Sequence, residues 1–184
     1  MDQRANRFSG RDSTTRRHQA GAAVRDRARR SWRVSSRASS APAESRPDRL
    51  ATELSGNVLS EPTRPDPSAK VLAWLRRNER DLAVDPIIVG EIRFGIHLLA
   101  AGRRRRRLEQ WFEEGVTRFH CLAWDLATGL RWARLLADLR ARGQSMPIKD
   151  SMIAATALAH GLTVATRNVR DFRQARVKVV DPFV

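Results

Sequence analysis

The chain holds a single cysteine, Cys121. One thiol cannot build a disulfide framework, nor a cysteine-rich zinc site within one chain, and it fits a reducing, cytoplasmic setting. No apolar run approaches the roughly 20 residues needed to span a bilayer, which argues against a membrane protein. The N-terminal arginines have no apolar core behind them, so the start does not read as a secretory signal. No period of 20–50 residues recurs, which excludes a repeat architecture. No common phosphate-loop signature is present, since Gly90 and Gly95 do not form a glycine-rich loop after a strand. No serine sits in a Gly-x-Ser-x-Gly elbow. His18, His97, His120 and His160 lack the paired spacing of metal ligands and read as surface or satisfied histidines.

What the sequence has in excess is positive charge. Its formal net charge is +15 over 184 residues. Such an excess suits nucleic acid or an acidic protein partner; arginine preference in a GC-rich genome is the plain alternative. The charge is unevenly distributed. Residues 1–49 carry 13 arginines against five acids, a net of +8, which leaves +7 for the remainder. This leader is rich in Ser, Ala and Arg and poor in large aliphatics. It cannot bury enough apolar surface to offset its ordering entropy, and a disordered segment is expected. It reads either as a basic arm for RNA or, for residues 1 to about 56, as an out-of-frame or over-extended reading of the upstream DNA.

Residues 50–184 carry a globular pattern. Leu54, Val58 and Leu59 form an apolar stretch that ends at Pro62, Pro65 and Pro67. Ser68 can cap a helix that turns Val71, Leu72, Trp74 and Leu75 inward. Asp85-Pro86 opens another helix, bearing Glu91, and Gly102 is expected to close it. Five arginines, Arg103 to Arg107, follow, and then a helix through Leu108, Trp111 and Phe112. Phe119 to Leu122 reads as a short buried strand. Leu126, Leu130, Leu135 and Leu139 recur at helical spacing, with Gly143 as the stop. Asp150 to His160 is an Ala-rich helix, and Leu162–Ala165 and Val177–Val180 are strands. This alternation predicts an α/β fold with a parallel sheet covered by helices.

The carboxylates are the informative side chains. Glu91 lies on an otherwise apolar helix face beside Ile88, Ile92 and Gly95. Asp150 begins an apolar helix, and Asp171 follows a strand and the triplet Thr166-Arg167-Asn168. Acids gathered from separate elements at the C-terminal ends of parallel strands can hold a hard cation. Each also has a plainer reading. Asp150 can be a helix N-cap, Asp171 a turn residue, and Glu91 a partner for Arg93 or for an arginine of the 103–107 run.

Five segments in order resemble those of a known family. They are Asn57-Val58-Leu59-Ser60-Glu61-Pro62 with Arg64-Pro65 and Val71 to Leu75; Val89-Gly90-Glu91-Ile92-Arg93-Phe94-Gly95-Ile96; Asp150 through Ala157; Ala165 through Phe172; and Asp181-Pro182-Phe183. Together they resemble the PIN-type ribonuclease domain of VapC toxins from bacterial toxin–antitoxin pairs. The resemblance implies a PIN-like three-layer α/β fold with a parallel sheet of four or five strands. It also implies RNA as substrate, Mg2+ or Mn2+ as cofactor and a cognate antitoxin as partner, with a homodimer as a further expectation. Glu91 and Asp150 match the family's second and third acids and are expected to be catalytic. Asp150, Glu91, Asp171 and Asn168 are the expected metal shell, and Asn57, Arg93, Thr166 and Arg167 the expected contacts to substrate. The family begins with an Asp-Thr pair where this chain has Ser55-Gly56, so Ser55 marks a degenerate metal position. Glu53, two residues earlier, shares a strand face with Ser55 but sits roughly 6–7 Å along the strand. A catalytically dead module that still binds an antitoxin or RNA is the alternative.

Overall fold

The structure is a computed structural model and describes residues 52–184. The expectation of a disordered leader at residues 1–49 lies outside the described residues. Five short strands form one parallel sheet, in the order β3-β2-β1-β4-β5. They are β1 (Thr52–Leu54), β2 (Leu82–Val84), β3 (His120–Cys121), β4 (Thr163–Ala165) and β5 (Lys178–Val180). The central β1 pairs Glu53 with Ala83 on one side and with Val164 on the other.

Helices connect the strands: α1 (Gly56–Leu59), α2 (Ala69–Asn78), α3 (Pro86–His97), α4 (Arg103–Glu114), α5 (Leu126–Ala141), α6 (Ile148–His160) and α7 (Val169–Gln174). Parallel strands need such crossovers, and the helices they bring in cover the sheet faces. The core sits between these layers, with Leu54, Val84, Ile88, Ile153, Val164 and Phe172 almost wholly buried. No helix of the described residues is long and apolar enough to cross a membrane.

Caps fix where the site-bearing helices begin and end. Asp85 accepts the Ile88 N–H at 2.7 Å, and Pro86 occupies the first turn of α3. Ser68 caps α2 by accepting from the Val71 N–H. Helix α5 ends in a paired motif: the Gln144 N–H reaches the Leu139 carbonyl, the Gly143 N–H reaches that of Arg140, and Gly143 takes φ 64°.

Two local expectations are corrected. Gly102 does not close the helix that bears Glu91; α3 ends at His97, and Gly102 instead precedes α4, whose first residues are the five arginines. Arginine ranks among the good helix formers, which lets the run be helical even at the end where the dipole disfavours cations. The strand at 119–122 is shorter than expected and not buried. His120 and Cys121 are exposed on the sheet edge, while the flanking Phe119 and Leu122 are buried.

Candidate active site

Parallel strands leave their carboxyl ends at one edge of the sheet, where the following loops can converge. Here the loops after β1 and β4 are tied together. The Asn57 Nδ2 donates to Thr166 Oγ1 at 3.3 Å, and its Oδ1 accepts from Ser55 Oγ at 3.0 Å and from the Arg167 N–H at 3.1 Å. Thr166 Oγ1 also accepts the Asn168 N–H at 3.1 Å. Backbone bonding continues the tie, as the Ser55 N–H meets the Ala165 carbonyl at 3.0 Å.

This latch forms one wall of a pocket of about 290 Å³. Ser55, Asn57, Glu91, Asp150, Thr166 and Asn168 all line it. Glu91 comes from the middle of α3 and Asp150 from the first turn of α6. A Cβ built on Gly56 would stand 3.7 Å from Glu91 Oε2, an ordinary contact. Asp171 does not line the pocket. It stands behind Asn168, whose Nδ2 donates to Asp171 Oδ2.

The electrostatics of the pocket follow from this crowding. Burial pushes the Asp150 carboxyl above its ordinary range, and the charges of Asp171 and Glu91 push it the same way against the opposing Lys149. Among the described residues no hydrogen bond is made to the Asp150 carboxylate. Glu91 Oε1 accepts from Lys149 Nζ at 2.5 Å. The partner of Glu91 is therefore Lys149, not Arg93 or the 103–107 run. Sequence spacing gives no sign of this contact, which spans 58 residues.

The remaining expected residues are placed otherwise. Arg93 is engaged with Glu113 at 3.0 Å and lies over the Phe112 ring, away from the pocket. The Arg167 guanidinium lies over Phe183. Asp150 is not an N-cap, since Pro147 holds that place and Asp150 lies three residues further on. Glu53 shares the strand face of Ser55 but is fully buried and does not line the pocket. It faces Asp85 instead.

A hydrated Mg2+ suits this donor set. That ion keeps several waters and is held by one or two carboxylates, and Glu91 and Asp150 are two carboxylates on one open pocket. The set does not fit a closed all-protein cage. Among the described residues no group of three or more His, Cys, Asp or Glu side chains stands ready to hold an ion.

Comparison with known proteins agrees with this architecture. Residues 54–178 match the PIN domain family. The chain is 37% identical over 134 residues to the plasmid stability protein StbB of Pseudomonas syringae pv. tomato, covering 71% of this chain and 96% of that protein. Over the same share of each chain it is 34% identical to toxin FitB of Neisseria gonorrhoeae and 34% identical to VapC ribonuclease Y4jK of Sinorhizobium fredii. In three dimensions it is similar to the crystal structure of FitAcB from Neisseria gonorrhoeae. That match has a TM-score of 0.65 and 33% identity, and covers 72% of this chain and 98% of that one. A parallel five-stranded sheet with this helical cover, and sequence likeness of this extent, place the chain in the PIN-domain family of VapC/FitB toxins from type II toxin–antitoxin systems.

Proposed function

We propose that this chain is a toxin-type endoribonuclease in which the metal site has lost one acid. The observation that carries this reading is the convergence of Glu91 and Asp150, from two helices, on the pocket that also holds Ser55. Three relatives bear the name of VapC ribonucleases, those of Sinorhizobium fredii, Mycobacterium tuberculosis and Rickettsia felis. The substrate is accordingly RNA, and the reaction is hydrolysis of a phosphodiester bond.

Asp150 and Glu91 would hold Mg2+ or Mn2+, with Asn168 and Asp171 completing the shell. When bound, the ion supplies activation of water and neutralisation of charge on the phosphodiester. The protein's own residues set the geometry. The Asn57–Thr166 latch holds the two loops in register, so Asn57 and Thr166 position the site and have few donors left for substrate. Arg93 and Arg167 would bind RNA only after leaving their aromatic and acidic partners. Lys149 must yield Glu91 before that carboxylate can hold a cation.

Ser55 favours a second reading. A neutral hydroxyl already bonded to Asn57 stands where the family has an aspartate. Magnesium sites use few carboxylates, so losing one lowers affinity steeply. The chain as written would then bind its partners and cut RNA poorly. A cognate antitoxin is the proposed partner, since several solved structures of the same fold are toxin–antitoxin complexes, including one from Klebsiella pneumoniae. Phe94, Leu98, Leu126 and Leu130 are exposed and offer apolar anchors for that antitoxin, or for a second copy of the chain.

The test is rescue. Ser55→Asp with Gly56→Thr should raise Mg2+-dependent RNA cleavage by about a hundredfold or more. The Cβ that this adds at position 56 makes only an ordinary contact with Glu91. Asp150→Asn in that background should abolish the gain, because an amide keeps the shape and loses the charge. A folded, Mg2+-binding double variant that stays inert would place the active site elsewhere. Equal cleavage by the unaltered chain would show that Ser55 is tolerated.

A further inference from the structure

A second groove, of about 460 Å³, opens on another part of the domain. It runs along α5 from Arg131 onward, beside Leu158 near the end of α6 and Ala175 and Arg176 after α7. Four arginines line it, Arg131, Arg134, Arg142 and Arg176, against a single acid, Asp138. Part of this charge is internally compensated. Arg134 pairs with Asp138 at 3.4 Å. Arg142 donates to the carbonyls of Asp138 and Gln174, so it neutralises the negative ends of α5 and α7. Arg131 and Arg176 make no ion pair or hydrogen bond through their side chains among the described residues. Two guanidinium groups are therefore left facing solvent in one concavity.

The backbone at Arg176 makes the arrangement more specific. Three helices of the domain are followed by a residue in the left-handed region: Gly143 after α5, Gly161 after α6 and Arg176 after α7. Glycine takes this conformation without a Cβ penalty and is the usual choice there. Two of the three ends use it. The third uses arginine at φ 56°, the only non-glycine residue with positive φ among the described residues. No packing accounts for the choice, since Arg176 is exposed. The strained position carries a free guanidinium into the groove.

We propose that this groove is a docking site for the phosphodiester backbone of single-stranded RNA, separate from the cleavage pocket. The inference rests on the ribonuclease reading for its choice of polyanion. Guanidinium groups suit phosphate oxygens by their planar fork of donors. Leu158, in the wall of the groove, is eight residues beyond Asp150 on α6, or about 12 Å of helix. The two openings thus share one helix and lie within the reach of a single RNA strand. The groove would add affinity for longer RNA while leaving the reacting bond untouched.

Arg176→Gly gives an unusual test because it removes the charge and relieves the backbone together. The full chain is titrated into a fluorescein-labelled, 20-nucleotide single-stranded RNA in EDTA, at several salt concentrations, and fluorescence anisotropy is read. Arg176→Gly should raise the melting temperature and yet weaken binding, so misfolding cannot explain the loss. Arg131→Gln with Arg176→Gly should weaken binding roughly tenfold at low salt and reduce the salt slope by about 1.4, at about 0.7 per phosphate contact for single strands. Arg103→Gln with Arg104→Gln, an equal charge loss on α4, should change affinity by less than about twofold. Equal losses in the two double variants would reduce the effect to bulk charge and overturn the proposal. Polyglutamate that competes with RNA as well as unlabelled RNA does, and loses this ability in the groove variant, would overturn it in favour of an acidic protein. The binding measurement needs no cleavage, so it stands if rescue at Ser55 fails. Unchanged binding in a chain whose cleavage still depends on Asp150 would sink the groove alone.

Discussion

Two pairs of carboxylates lie between the same two helices and meet opposite fates. Glu91 on α3 and Asp150 on α6 share an open pocket. Asp85, at the start of α3, and Glu53, on β1, are sealed in the core at 0% exposure, with Thr156 of α6 beside them. The two sets are six residues apart on each helix, about 9 Å. In the open pair, Lys149 neutralises Glu91 and the pocket is open to solvent. In the sealed pair the two carboxyls face each other, and only a protonated Glu53 can donate across the gap to Asp85. Burial, and then the Asp85 charge, push Glu53 well above the ordinary carboxylate range, so it is the group that takes up a proton. Asp85 is pushed up by burial against the hydrogen bonds that hold it down, from the Ile88 N–H, from Glu53 and from Thr156. The same chemistry that makes a site at the mouth makes a liability ten ångströms or so away.

The largest effect should come from breaking the sealed pair. Glu53→Leu removes a buried carboxyl whose ionised form has no donor, and at pH 8 it should stabilise the domain by about 2 kcal/mol. That is on the order of 5–10 °C in Tm for a domain of this size. The sign of its pH dependence follows from the raised pKa. A carboxyl with a folded pKa above its unfolded value contributes stability that is complete below the unfolded pKa and disappears as pH rises through the folded pKa. The unaltered chain should therefore lose stability from about pH 5 upward, and Glu53→Leu should flatten that decline. Thermal melts at pH 5 and pH 8 measure both. A drop in Tm at pH 8 on removing Glu53 would mean that the carboxylate has a favourable partner.

A smaller effect of opposite use is expected at the open pair. Asp150→Asn removes repulsion with Asp171 and Glu91 in the metal-free chain. The site is only half-buried, so solvent screens the gain to about 0.5–1 kcal/mol. Millimolar Mg2+ should invert the order in the Ser55→Asp background, because a ligand stabilises only the form that binds it. Melts with and without Mg2+ read the inversion. A variant that gains as much from Mg2+ as its parent would show that Asp150 is not a ligand.

The comparison also explains what the sequence could and could not reveal. Helix starts at Ser68 and Asp85, and the stop at Gly143, rest on chemistry within one turn, so they could be read locally. The gathering of Glu91 and Asp150 depends on contacts across the sheet, and only the ordered family motifs pointed to it. Lys149 escaped notice because its partner is 58 residues away and nothing in its own neighbourhood marks it. Glu53 was legible as sharing a strand face with Ser55, which alternation dictates. How far down that face the pocket extends is set by α3 and α6, and strand alternation says nothing of depth. At the edge strand the large apolar residues Phe119 and Leu122 are buried as expected, and the misjudged positions are His120 and Cys121 between them.

The smallest effect should come from Asp85, whose two roles oppose each other. As the cap of α3 it accepts the Ile88 N–H at 2.7 Å, and loss of such a cap costs about 1 kcal/mol. As a second buried acid it adds its charge to the burial that already penalises Glu53. Asp85→Ser separates the two roles, because a serine hydroxyl can still accept from Ile88 but carries no charge. The Thr156 hydroxyl, which donates to Asp85 at 3.3 Å, also lies within reach of the Met152 carbonyl at 3.2 Å and is not left without a partner. Stability should therefore change by no more than about 0.5 kcal/mol at pH 5, where Glu53 is protonated in either chain. At pH 8 the variant should be the more stable of the two, since Glu53 no longer meets a second charge. Asp85→Ala, which loses the cap as well, should fall below Asp85→Ser at both pH values by about 1 kcal/mol. If Asp85→Ser and Asp85→Ala melt together, the cap contributes little. If Asp85→Ser is the less stable at pH 8, the sealed pair is held by something other than two acids in conflict.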